Sequence, residues 1–279
     1  MRSLALLANP DSGSGDAAEL PATLRELGAE VAEFEIGEFE EAASSGAERL
    51  VVAGGDGSIA PAACAAARHH LPLAVLPAGT ANDFARVHDL PLDLDQACEL
   101  AVKGEVSEAI DIALMGERPF LNVASIGLSP AAAEKAHGLK RFLGPLAYMV
   151  GAARAAISAP AVHCRVSCDD EEWFSGKVWQ LTVACSGAFG GGSTVAADPA
   201  DGRLDLVLIK AGSRLWLPLH AYGLRAGGIE NYNGVLDHRC RSVRVETSDG
   251  TTFNVDGELI EAGDTTFTVE PEAVELITG

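Results

Sequence analysis

The chain has 279 residues, 48% of them apolar and 22% charged, enough for a sizeable packed core and incompatible with disorder or a low-complexity fibre. Forty acidic against twenty basic side chains give a net charge of −20. That excess excludes a general DNA or RNA binder, since a phosphate backbone demands a basic footprint, and excludes attachment to anionic membranes by electrostatics alone.

Strand and helix patterns alternate over roughly the first 115 residues. Leu4–Ala8 is a short apolar strand ended by Asn9-Pro10, and Asp16–Leu27 has helical spacing. Ala29–Ile36 alternates like a strand, Glu38–Ala47 is a polar helix, and Arg49–Ala53 is an apolar strand. Ile59–His70 is helical, Leu73–Leu76 a strand stopped by Pro77, and Asp93–Lys103 helical again. Short apolar strands between helices of about a dozen residues predict a parallel sheet covered on both faces. After Asp111 the rhythm changes. Helical stretches at Pro130–Gly138 and Pro145–Ala159 lead into period-2 segments at Ala161–Cys168, Lys177–Cys185, Leu204–Lys210, Ser242–Thr247, Thr252–Asp256 and Thr265–Glu270. These predict an antiparallel second half, a sandwich or curled sheet, with a closely joined boundary near residue 120.

Six cysteines without CxxC spacing, two of them about 13 Å apart along one strand, read as reduced, buried thiols and a cytoplasmic protein. The residues before Leu4 are too few for the start of a signal peptide, and no apolar run of about 18 residues lacks a charge or a breaker.

Four glycine-rich segments punctuate this order. Asn9-Pro-Asp-Ser-Gly-Ser-Gly15 follows the first strand, and its Gly13-x-Gly15-x-x-Ala18 matches a dinucleotide-binding pattern that is weak by itself. Val51-Val-Ala-Gly-Gly-Asp-Gly-Ser58 runs from a strand into a helix; glycines there let the backbone N–H groups approach phosphate. A carboxylate amid such a nest would be repelled unless a cation lay between, so Asp56 suggests Mg²⁺ together with a nucleotide. Leu76-Pro-Ala-Gly-Thr-Ala-Asn-Asp-Phe-Ala-Arg86 and Asn122-Val-Ala-Ser-Ile-Gly127 follow, and Asn254-Val-Asp-Gly-Glu258 would alone be a hairpin turn.

Together these five segments, in this order and over essentially the whole chain, resemble the diacylglycerol kinase catalytic-domain family in its short bacterial lipid-kinase form. The resemblance implies a Rossmann-like three-layer domain over 1–119, rejoined by 271–279, and a β-sandwich lipid-substrate domain over 120–270, with ATP in the cleft between them. It implies that Asn9, Pro10, Asp11, Ser12, Gly13, Gly54, Gly55, Asp56, Gly57, Ser58 and Thr80 contact ATP. Asp56 would lie by the Mg²⁺-nucleotide, with Asp83 and Asp111 as further acidic candidates and Glu258 as general base. A second, structural Mg²⁺ would be held by the Asp201 carboxylate and by backbone carbonyls at Asp198 and Arg203. The implied activity is transfer of the ATP γ-phosphoryl group to the hydroxyl of diacylglycerol or a related lipid alcohol, presented at a membrane surface; a homodimer stays open. The sequence departs from the family at Ala60-Pro61, where an Asn-Glu pair is common, at Ser14, where a Lys is common, and at Ser58, which keeps the hydroxyl of a threonine.

Other readings carry less. NAD kinases share the GGDG core; an oxidoreductase would rest on Gly13–Ala18 alone; a silent nucleotide-binding regulator would rest on Ala60-Pro61. No HExxH or GxSxG is present. Gly144–Ser158 reads as a core helix or a membrane-facing one, Arg239, Arg241 and Arg244 as headgroup contacts or carboxylate partners, and Trp173, Trp179 and Trp216 as core or interface residues.

Overall fold

The computed structural model describes residues 1–8, 19–137, 158–189, 193–226 and 228–279 and contains two compact units, Met1–Ile112 with Glu270–Gly279, and Ala113–Val269. The expected Pro145–Ala159 helix lies almost wholly outside the described residues, as do residues 9–18.

The first unit runs β1 (Ser3–Ala8), α1 (Leu20–Glu26), β2 (Glu30–Glu35), α2 (Phe39–Ala43), β3 (Arg49–Gly54), α3 (Asp56–Arg68), β4 (Leu73–Pro77), α4 (Asp83–Val87) and α5 (Leu94–Lys103), then enters β5 (Ser107–Met115). Its strands are parallel in the order β2-β1-β3-β4. One face of the sheet, Leu4, Leu6, Val51, Ala53, Ala74 and Leu76, packs on α1 and α5 through Leu20, Leu24, Ala97, Cys98 and Ala101. α3 and α2 pack against each other and against β3 and β1. This is the three-layer arrangement that buried strands of both-face apolar pattern require. β2, with only two of six residues even half-buried, is the edge.

Two arginines finish α5. The last carbonyls of a helix lack intrahelical donors. Arg49, buried in β3, donates to Ala101 O at 2.6 Å and Gly104 O at 2.9 Å, and Arg2 donates to Val102 O and Gly104 O, both at 3.0 Å. Burial, with Arg2 alongside, pushes the Arg49 guanidinium down to about 10. Leu276 pairs in parallel with Leu73 of β4, and Gly279 O accepts from the N–H groups of Glu105 and Val106 at 2.6 Å.

The second unit comprises β6 (Arg118–Phe120), β7 (Val123–Gly127), α6 (Leu128–His137), β8 (Val162–Cys168), β9 (Glu171–Ala184), β10 (Ala188–Phe189), β11 (Ser193–Thr194), β12 (Leu204–Lys210), a 3₁₀ turn (Arg214–Trp216), α7 (Leu217–Ala226), β13 (Val235–Cys240), β14 (Ser242–Glu246), β15 (Thr251–Val255), β16 (Glu258–Ala262) and the start of β17 (Thr265–Ile277). Every described pairing between these strands is antiparallel. The 14-residue β9 serves two layers: Glu171–Val178 pairs with β8, and the stretch to Ala184 pairs with β7 and β12. Between the layers lie Phe120, Ile126, Val166, Leu181, Val183, Leu206, Val243, Phe253 and Phe267, the core of a β-sandwich. All six cysteines are buried free thiols.

By contacts the first unit ends at Ile112, inside β5, and resumes at Glu270, and β5 runs as one continuous strand across the change of rhythm. α2 has five residues in place of the ten of Glu38–Ala47, ending where Ser44 and Ser45 hydrogen-bond back to backbone carbonyls. β5, β6, β13, β16 and α7 were not marked by periodicity.

Replacing Arg49 by Met should cost about 2–4 kcal/mol in urea unfolding, since buried carbonyls lose charged donors. A cost within error of zero would show that water satisfies them. His88, its ring tilted against that of Phe84 at 4.4 Å between centroids, is pulled down to about 4 by burial. It is therefore neutral in the fold and charged in the unfolded chain below its ordinary value of about 6.5. Its contribution should be present above that pH and lost as pH falls toward 4, and His88→Gln should flatten that part of the stability profile.

Candidate functional site

In the first unit, β3 and β4 end side by side, Gly54 opposite Pro77, and each feeds a helix N-terminus. The connecting loops touch backbone to backbone. A Cβ on Gly79 would stand 2.5 Å from Gly55 Cα, and one on Gly55 would stand 3.3 Å from Gly79 Cα. A Cβ on Gly54 would meet Ser58 Oγ at 2.2 Å. Glycine is therefore required for this approach, whatever ligand it serves. Ser58 donates its hydroxyl to Gly55 O at 2.8 Å, and the two N-termini are tied by Phe84 N–H donating to Asp56 Oδ1 at 2.8 Å.

Asn82 caps α4 from a left-handed conformation, φ 51° and ψ 44°, and donates Nδ2–H to Pro77 O at 3.0 Å. Its Oδ1 is buried without a hydrogen-bond partner among the described residues, 2.7 Å from where a Gly79 Cβ would be. Next to it Asp83 is half-buried; desolvation, then the charge of Asp56, raises its carboxyl above the ordinary carboxylate range. Thr80 is exposed on the same loop. Two carboxylates at two helix N-termini, one destabilised as an anion by burial and by the other, form a donor set suited to a divalent cation. Mg²⁺ commonly takes one or two protein carboxylates and leaves its other positions to phosphate and water, so the residues fit it. Asn9, Pro10, Asp11, Ser12 and Gly13 lie outside the described residues.

Asp111 is placed differently. It is almost fully buried in β5, and its Oδ1 accepts from Glu272 N–H at 2.8 Å, where Glu272 has a left-handed φ of 49°. The described contacts give it a structural task in holding that kink of β17.

In the second unit, β15 and β16 are joined by Asp256-Gly257, with φ of 45° and 91°. Both values are left-handed, the requirement of a tight two-residue hairpin turn. The Asp256 carboxylate accepts three successive backbone N–H groups, from Leu121 at 2.8 Å, Asn122 at 3.0 Å and Val123 at 2.9 Å. Asp256 N–H donates back to Val123 O at 3.0 Å. The turn is thus clamped to the chain between β6 and β7. Glu258 opens β16, exposed, and is ion-paired to Arg118 of β6. The Asn122-x-x-Ser125-x-Gly127 segment is structural too: Asn122 Oδ1 accepts from Ser186 Oγ at 3.0 Å, and a Cβ on Gly127 would run into Trp179 O at 2.1 Å. Arg118 was missed in the sequence because it belongs to no motif and reaches Glu258 only through tertiary pairing.

In the Asp198–Arg203 loop the carboxylates have partners within the chain. Asp198 Oδ1 accepts from Ala200 N–H at 3.1 Å, Asp201 Oδ1 accepts from Arg203 N–H at 3.0 Å, and Asp201 Oδ2 is ion-paired to Arg239. Arg239 also reaches Asp205 Oδ1, its cross-strand neighbour, at 2.8 Å. Burial, despite Arg239, pushes the Asp205 carboxyl up to about 6. The Asp201 carboxylate, which the resemblance implies as a metal ligand, is thus ion-paired to Arg239, and the described residues contain no group of three His, Cys, Asp or Glu side chains arranged to hold a metal. Of the other cations, Arg244 is paired with Glu246.

Residues 3–115 match the family described as "Diacylglycerol kinase catalytic domain", and residues 122–278 match the "YegS C-terminal NAD kinase beta sandwich-like domain". A Pseudomonas aeruginosa protein named "Probable lipid kinase YegS-like" is 31% identical over 98% of this chain and 93% of its own. A Yersinia pestis protein of the same name is 31% identical over 85% of this chain and 80% of its own. A solved structure of a diacylglycerol kinase from Bacillus anthracis covers 100% of this chain and 97% of its own, with a TM-score of 0.79 at 21% identity. An NAD kinase from Archaeoglobus fulgidus in complex with ATP is a more distant likeness, covering 99% of this chain and 93% of its own with a TM-score of 0.56 at 15% identity. The structural likenesses speak to fold alone. With both halves matched and a relative aligned along nearly its whole length, the chain belongs to the diacylglycerol kinase catalytic-domain family, in the form whose second half is a YegS-type β-sandwich.

Proposed function

We propose that the chain is an ATP- and Mg²⁺-dependent lipid kinase acting on the hydroxyl of diacylglycerol or a related lipid alcohol. The observation that carries this is the pair of glycine loops, packed backbone on backbone at the N-termini of α3 and α4, with Asp56 and Asp83 beside them. Helix N-termini and glycine backbones present N–H groups to phosphate. Gly54, Gly55, Gly57, Ser58 and Thr80, with Asn9–Gly13, take the phosphates in this reading, and Asp56 and Asp83 hold the cation. When bound, Mg²⁺ neutralises charge on the β- and γ-phosphate oxygens.

Phosphoryl transfer asks the protein chiefly for position and electrostatics. Asp56 supplies both: its Oδ1 is fixed by Phe84 N–H, which anchors the carboxylate at the two helix N-termini. In the second unit Glu258 is the general base, taking the proton of the acceptor hydroxyl onto a carboxylate oxygen as that hydroxyl attacks. The ion pair with Arg118 holds the Glu258 carboxylate in one orientation, and the Asp256 clamp fixes the backbone from which it projects. Asp256 is thus a positioning residue.

The defining experiment is incubation of the protein with labelled ATP, Mg²⁺ and a lipid panel in mixed micelles. A phospholipid product is expected from diacylglycerol; label appearing only in NADP when NAD is supplied would replace the reading with that of an NAD kinase. Glu258→Gln should keep nucleotide affinity and lower kcat by about 10²–10⁴-fold, and undiminished turnover would remove Glu258 from its role. Chelation of Mg²⁺ should stop turnover without lowering the unfolding temperature, because Arg239 already balances the Asp201–Asp205 loop; a clear drop in that temperature would restore a structural metal.

A further inference from the structure

We infer that the 3₁₀ turn Arg214–Trp216 and α7 form a docking face that lays its apolar side chains into the surface of an anionic lipid bilayer. The helix has two apolar faces. Inward, Leu217 packs with Trp179 and Ile209, His220 Nε2 lies 3.2 Å from Asn233 O, and a Cβ on Gly223 would touch the Tyr232 ring at 2.8 Å. Outward, Leu215 is 87% exposed, Trp216 61%, Leu219 43% and Tyr222 64%. Leu215, Leu219 and Tyr222 fall at i, i+4 and i+7, one stripe of the same helical surface. These four make up half of the eight large exposed apolar side chains among the described residues, and they lie within eight consecutive positions. A helix whose outer face meets only water carries polar groups there; one apolar all round has a second apolar environment.

The turn is held rigidly enough to present them. Arg214 donates Nη2–H to Ala159 O at 2.6 Å, and its guanidinium lies 4.4 Å above the Trp179 ring. The exposed rings are tryptophan and tyrosine, the two that favour the water–lipid boundary.

Charge selects a bilayer surface as the occupant. Acidic residues number 40 of 279, roughly one in seven, yet none occurs in the 24 residues Leu206–Ile229, where Lys210, Arg214 and Arg225 are cationic. At that density about three would be expected. A chain carrying −20 is repelled as a whole by anionic lipid, so the approach is best made through a stretch of chain that itself carries cations and no carboxylate, and held by apolar insertion. Which lipid is met there rests on the lipid-kinase reading; the docking face itself does not.

The test is sedimentation of the full-length protein with vesicles of phosphatidylglycerol and phosphatidylcholine, against phosphatidylcholine alone. Binding is expected to the anionic vesicles, weakened by salt, with a blue shift in tryptophan emission, since Trp216 is the exposed tryptophan and Trp179 is buried. Leu215→Ser with Leu219→Ser should lower the partition coefficient about tenfold or more. The same variant should keep its circular dichroism and its turnover of a short-chain, water-dispersed diacylglycerol. Trp216→Phe should keep binding and lose the blue shift. Wild-type protein that ignores anionic vesicles, or a double variant that binds them as well as wild type, would overturn the docking face. So would sedimentation equilibrium showing a dimer that the double variant dissociates without any vesicle binding, which would assign the face to a second copy. Vesicle binding by a protein that phosphorylates no lipid would overturn the kinase reading and leave the docking face standing. Turnover of short-chain lipid by a protein blind to vesicles would do the reverse.

Discussion

The hydrogen bond from Phe84 N–H to Asp56 Oδ1 ties the ends of two neighbouring parallel strands to each other through the helices that follow them. It depends on Gly55 and Gly79 lying in backbone contact, closer than any side chain permits. Once that contact exists, two helix N-termini with their positive partial charge open side by side, and the carboxylates of Asp56 and Asp83 stand at the same place. Two like charges drawn together at the cost of desolvation raise Asp83. That arrangement costs free energy in isolation, and in the proposed reading a cation shared with phosphate would offset the cost.

The second unit solves a different problem by similar means. A tight turn with two left-handed residues has little to define its direction, and here the Asp256 carboxylate gathers three consecutive N–H groups from the segment between β6 and β7. Charge-assisted bonds of this kind are short and directional. Arg118, projecting from β6 itself, then meets Glu258 at the start of β16. The clamp and the ion pair both run between the β15–β16 hairpin and the β6–β7 chain, so the carboxylate's direction is set by strand pairing.

What was legible in the sequence was what is locally encoded. β1, β3 and β4 are unbroken aliphatic runs ended by Gly or Pro, and the glycine loops follow from them. β5 was hidden because buried Asp111 interrupts its apolar pattern, and Glu272 N–H, which bonds that carboxylate, lies 161 residues on. α7 was hidden because a helix apolar on both faces has no period to detect. Arg118 and Arg239 act through partners distant in sequence that no spacing announces. Trp216, compatible with core when seen as a residue type, lies on the outside.

The Arg239 guanidinium also alters how the Asp198–Arg203 loop responds to its surroundings. A bound ion stabilises a fold by mass action, rising and falling with its free concentration. An arginine is covalently part of the chain and keeps its charge at any physiological pH. The β12–β13 edge therefore carries a counter-charge for Asp201 and Asp205 within the chain itself, present whatever ions surround it.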